Sequence, residues 1–181
     1  MIISKKVFLI LCLVVLAVAL SASVLSATGR TRTMDQTLTG TYRALDQSHG
    51  LFDVTLRGSP GTAVGQGISF SGPPVKKGDL PGDNICVDLP ESPDGTILTK
   101  QMQANLIYED GSMLFSNGAL GGYLCFVPAF VFAPYEIVGG TGRYEGASGA
   151  WQAEITTHPF GGPAGSVIGE SGTVSGEIVL P

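Results

Sequence analysis

The 181-residue sequence predicts an all-β domain, either a two-sheet sandwich or a closed barrel. Three observations carry that expectation. Runs of strand length alternate apolar and polar residues from Leu51 to Leu180, glycine- and proline-rich turns separate them, and no amphipathic helical period lies between them. The length suits one domain with a substantial core rather than two.

Residues 1–27 read as an export signal. Lys5 and Lys6 precede an apolar run from Val7 to Leu20, and small residues follow at Ser21-Ala22-Ser23 and Ser26-Ala27. The run falls short of the roughly 20 residues that span a bilayer, which favours cleavage between Ser23 and Thr28 over retention as an anchor. The expected location is therefore secreted or extracytoplasmic. Cleavage leaves 8 basic residues against 15 acidic ones, a net charge of −7. An acidic chain without a basic stripe excludes nucleic acid and anionic membrane surfaces as partners. It also leaves two cysteines, Cys86 and Cys125, which an exported chain most simply pairs as a disulfide. Closing that loop stabilises by about 3 to 4.7 kcal/mol on a chain-entropy account. A catalytic thiol lacks support, because neither histidine, His49 or His158, is near a cysteine in sequence.

Residues 28–49 are polar, with Arg30, Arg32, Asp35 and Arg43, and read as a linker or N-terminal arm before a β domain at 50–181. Phe52, Val54 and Leu56 alternate with polar neighbours, a Gly-Ser-Pro-Gly turn follows at 58–61, and Thr62 to Ser71 forms the next strand. Residues 72–95 hold five prolines and the acids Asp79, Asp83, Asp88, Glu91 and Asp94 around a short Ile85-Cys86-Val87 strand. That acidic spacing matches no calcium loop, so a solvated loop is expected and no metal. Ile97 to Tyr108 is the longest alternating strand. Asp110-Gly111 suits the positive φ angles of a tight hairpin, and Ser112 to Ala119 returns. Tyr123 to Ala133 is almost continuously apolar, and strands at Pro134–Val138, Ser148–Thr157 and Gly172–Leu180 bring the count to eight.

Between two of these strands lies Tyr135-Glu136-Ile137-Val138-Gly139-Gly140-Thr141-Gly142-Arg143-Tyr144. Gly139, Gly140 and Gly142 indicate a forced backbone path such as a sheet corner. A dinucleotide-binding loop is excluded: Glu145 stands where the third glycine belongs, and a strand follows in place of a helix. No G-x-S-x-G, H-E-x-x-H or Walker A sequence is present.

The glycine block resembles the GGTG-[RK]-[YF] segment of the dirigent and allene oxide cyclase barrel group. Val64-Gly65-Gln66-Gly67 is similar to that group's V-G-x-x-G strand, Met102 to Ser116 to its long hairpin, and Gly172 to Ile178 to its closing strand, in the same order. The resemblance covers most of residues 50–181. It implies a single eight-stranded antiparallel, calycin-like β-barrel with an apolar lumen that encloses a small organic molecule. In such proteins the barrel orients a flexible substrate for cyclisation or coupling without a cofactor. Orientation of this kind supplies roughly 7 to 11 kcal/mol in favourable cases.

Alternation puts Met102, Ala104, Leu106 and Tyr108 on one face of their strand and Trp151, Ala153 and Ile155 on one face of theirs. Those faces are the lumen candidates, with Phe115, Phe132 and Tyr135 closing the pocket. Tyr108 or Tyr135 would donate a hydrogen bond to a substrate carbonyl, and Trp151 would supply a flat wall. Arg143 and Glu145 are expected at a solvated corner. An eight-stranded barrel is also narrow enough to be filled by its own side chains, which would make these residues packing and the protein a non-catalytic binding or structural barrel. The apolar run at 123–132 suggests either a homo-oligomer interface or a lid packed over the barrel mouth.

Overall fold

The computed structural model describes residues 29–46, 49–76, 79, 93, 95–125, 129–159 and 167–181. The expected export signal, the short strand at 85–87 and Cys86 lie outside the described residues. The chain divides into two units, Met1–Arg30 with Pro181 and Thr31–Leu180, and the second carries the sheet.

Among the described residues nine strands form that sheet: β1 (Arg30–Ala44), β2 (Gly50–Ser59), β3 (Ala63–Lys76), β4 (Thr96–Tyr108), β5 (Met113–Gly118), β6 (Tyr123–Cys125), β7 (Phe130–Gly140), β8 (Ser148–Pro159) and β9 (Val167–Leu180). Their order is β5-β4-β3-β2-β1-β9-β8-β7-β6, and a further β5–β7 pairing closes the ring into an eight-stranded antiparallel barrel. Closure leaves no long unpaired sheet edge. β5 and β6 share one strand position, lying end to end along β7: Leu114–Gly118 pair with Tyr135–Gly140, and Tyr123–Cys125 pair with Phe130–Phe132.

The stretch read as a linker or arm is corrected by β1. It pairs with β2 from Asp35↔Ser59 to Ala44↔Gly50 and neighbours β9. Its threonines at 31, 33, 37, 39 and 41 favour extended backbone, and Met34, Gln36 and Leu38 are buried between exposed neighbours. The apolar alternation is broken by Gln36, which is buried because its amide donates to the Gly61 carbonyl at 2.6 Å.

The strand expected at Pro134–Val138 starts earlier, since Pro134 lies inside β7. The Pro134 carbonyl accepts from Ala119 N at 2.9 Å, on the side where β5 has ended and β6 has not begun. A missing N–H on that side costs no ladder bond. The Asp110-Gly111 hairpin forms as expected, with Gly111 at φ +79° and Leu106 opposite Leu114.

The core lies inside the barrel. Met34, Leu56, Leu106, Leu114, Tyr144, Val174 and Ile178 are all at most 1% exposed, which places the densest packing at one end of the lumen.

Candidate functional site

The interior divides into a packed end and a hollow end. The glycine block builds the packed end. Gly139 at φ +142° and Gly142 at φ +60° turn the chain out of β7 into a 3-10 turn, Gly142–Tyr144, which carries Tyr144 under the barrel. Its ring lies 4.8 Å from that of Tyr108. Arg143 covers both rings at 4.8 and 4.9 Å, and its Nε is 3.3 Å from the Asp110 carboxylate. Arg143 is therefore a clamp on the plug rather than a solvated corner, while Glu145 is exposed as expected. Burial, then the neighbouring Tyr144, pushes the Tyr108 phenol above its ordinary range.

Above this plug lies a cavity of about 300 Å³. Leu56 and Leu106 floor it, Val54, Ala153 and Ile155 form apolar walls, and half-buried Tyr42, Ala129, Thr157 and Ile168 rim its opening. Tyr135 and Trp151, opposite each other on β7 and β8, stack with ring centroids 3.8 Å apart to make one aromatic wall. A groove of about 480 Å³ on the outer faces of β2 to β5 is larger but open to solvent, and its polar side chains bond to one another, as Gln66 Nε2 does to Asp53 Oδ1 at 2.9 Å. Enclosure and apolar lining make the lumen cavity the better ligand site.

Of the seven lumen candidates, Met102, Tyr135, Trp151 and Ile155 meet in this cavity. Tyr108 faces inward but belongs to the plug. Phe115 and Phe132 face outward, which the strand alternation explains. Leu114 and Ser116 take the inward positions beside Phe115, and Val131 and Ala133 those beside Phe132. Phe115 lines the outer groove, and Phe132 stacks on Tyr123 at 5.4 Å.

The polar atoms around the cavity are few. Tyr135 donates to Met102 Sδ at 3.3 Å, a weak acceptor, and the Trp151 indole N–H donates to Ser116 Oγ at 2.9 Å. Tyr42 and Ser69 share a hydroxyl–hydroxyl bond of 3.0 Å. Glu170 is 8% exposed, and burial pushes its carboxyl up to about 7. Burial, followed by the Glu170 charge, drives the Tyr135 phenol upward.

Sequence reasoning missed Glu170 because it began the last strand at Gly172. The signal was present: Ile168 and Glu170 have the parity of Val174 and Ile178, which are inward. Leu38 and Tyr42 were missed with the whole of β1. Cys125 lies in β6, and the Cys86–Cys125 pairing rests on a residue outside those described. Among the described residues no group of three or more His, Cys, Asp or Glu side chains is gathered as for a metal ion. Compared with known protein families and with curated proteins, the chain matches none.

Proposed function

We propose that this is an exported barrel that binds one small apolar molecule in its lumen and orients it for cyclisation or coupling. The observation that carries the reading is the cavity of about 300 Å³, apolar on most sides and backed by the Tyr135–Trp151 stack. Such a space suits templating, where a shaped apolar wall selects one folded conformer of a flexible substrate. The resemblance to the dirigent and allene oxide cyclase group supplies the reaction class. No residue is assigned covalent chemistry.

A second reading, a non-catalytic binding or structural barrel, is favoured by one observation: one end of the lumen is filled by Met34, Tyr108, Leu114, Tyr144 and Ile178. Native mass spectrometry of the protein purified from its own source separates the two. A co-purifying apolar metabolite that is lost on Trp151→Ala supports the first reading. An empty protein that binds no terpenoid, fatty-acid or phenolic probe supports the second.

Two further features belong to the proposal. Export implies a Cys86–Cys125 disulfide, and reaction of both thiols with a label in the denatured, unreduced mature protein would remove it. A contact between copies of the chain through the run 123–132 is also proposed; Tyr123 and Phe132 are 3% and 9% exposed, so Phe130 is the aromatic of their cluster that is open to it. The same mass spectra test it, and a strict monomer excludes it.

A further inference from the structure

The cavity is apolar, yet it holds one carboxyl group. Glu170 projects into it from β9, opposite Thr157 of β8, close enough to Tyr135 for its charge to act on that phenol. Among the described residues no lysine, arginine or histidine lines the cavity, and burial is what raises the Glu170 carboxyl. A buried carboxyl without a counter-charge is costly to a fold and is ordinarily paired or neutralised. Tyr42, Phe52, Tyr135 and Trp151 line the same space, and their ring faces attract cations.

We infer that the lumen ligand is an apolar molecule carrying one basic nitrogen, whose ammonium group lies against the Glu170 carboxylate beside the Tyr135 ring. This rests on the lumen-binding reading and adds a substrate class to it. An apolar carboxylate, such as a fatty acid, meets a like charge and no cation, so it is rejected. A neutral alcohol keeps the apolar contacts and one hydrogen bond. An amine adds a charge-assisted bond to a carboxyl that folding has already desolvated, so its binding desolvates only the ligand's own charge. The apolar body then extends toward Leu56, Leu106 and the Trp151 indole, deeper in the barrel.

Titration calorimetry with three isosteric probes, naphthylethylamine, naphthylethanol and naphthylacetic acid, tests this on the mature protein and on Glu170→Gln. At about pH 8, above the Glu170 titration, the amine is expected to bind about tenfold more tightly than the alcohol, and the acid least. Glu170→Gln is expected to lower amine affinity about tenfold and so remove the amine's advantage over the alcohol. Equal affinity of amine and alcohol in the unmodified protein, or an amine preference that survives Glu170→Gln, overturns the inference and leaves the lumen reading standing. Failure of all three probes and of ethylnaphthalene to bind overturns both. Should Glu170→Gln not fold, the ranking of the three probes on the unmodified protein decides alone.

Discussion

Tyr135 and Trp151 face each other across β7 and β8 with ring planes 12° apart, and the indole N–H is anchored to Ser116 Oγ at 2.9 Å. Three strands thus fix one aromatic wall. Ser116→Ala leaves the indole donor buried without an acceptor, and a loss of about 1 to 3 kcal/mol is expected in chemical denaturation. Trp151 is the single tryptophan in the sequence, so its fluorescence reports this wall alone. An unchanged unfolding midpoint and emission spectrum would show that the bond contributes nothing.

The glycine block makes two separable demands on the backbone. Gly139 has φ +142° with open space where a Cβ would stand, so Gly139→Ala incurs conformational strain of about 1 to 3 kcal/mol. At Gly140 a Cβ would collide with the Met113 carbonyl oxygen and would come within 2.7 Å of Tyr144. Gly140→Ala therefore forces β5 and the plug apart, with an expected loss above about 3 kcal/mol. Denaturation midpoints in the reverse order would contradict the role assigned to this corner.

The barrel was legible where one face of a strand is apolar and the other polar. β2, β4 and β8 show that pattern, and the Asp-Gly hairpin and glycine corner fall between such strands. β1 was not legible, because Gln36 occupies an inward position and its amide N–H donates to a carbonyl 25 residues away, information that no local pattern contains. The site was half legible for a related reason. Parity along β4, β7 and β8 placed Met102, Tyr135, Trp151 and Ile155 inward, but it says nothing of height in the barrel. Tyr108 accordingly shares a face with Met102 yet meets Tyr144 in the plug. Phe115 and Phe132 were chosen for their aromatic character against the alternation of their own strands.

Glu170 gives the barrel a pH dependence with a definite sign. Its folded value of about 7 lies above the ordinary 4.5, so the native state retains a proton that the unfolded chain has released. Stability is therefore expected to fall as pH rises through that window and to level off above it. Among the described residues Tyr135 and Tyr42 are the other titratable side chains lining the cavity, while His158 lies on the exposed face, bonded to Ser171. Glu170→Gln keeps all of these and removes the carboxyl, so comparing the two proteins isolates one group. At about pH 8 the variant should be more stable by roughly 2 to 3 kcal/mol, with the advantage vanishing below about pH 4.5. Parallel stability curves for the two proteins would mean that Glu170 is solvated.

Tyr144 fills the closed end by ring volume, not by its hydroxyl. It is fully buried, and neither its hydroxyl nor that of Tyr108 makes a well-formed hydrogen bond. Tyr144→Phe should therefore change stability by no more than about 1 kcal/mol in either direction, because no partner is lost. Tyr144→Ala removes the ring on which both Tyr108 and Arg143 rest and should cost about 3 to 5 kcal/mol. It should also lengthen the cavity toward the floor and admit probes too long for the unmodified protein. Arg143→Ala, which uncovers two rings at 4.8 and 4.9 Å, is expected between these, at about 0.5 to 2 kcal/mol for the lost cation–π contacts. If Tyr144→Phe proved as costly as Tyr144→Ala, the hydroxyl would be engaged, with a buried water shared between the two phenols as the simplest partner. Crystals of the two variants, compared at the closed end, would separate a lost water from a lost ring.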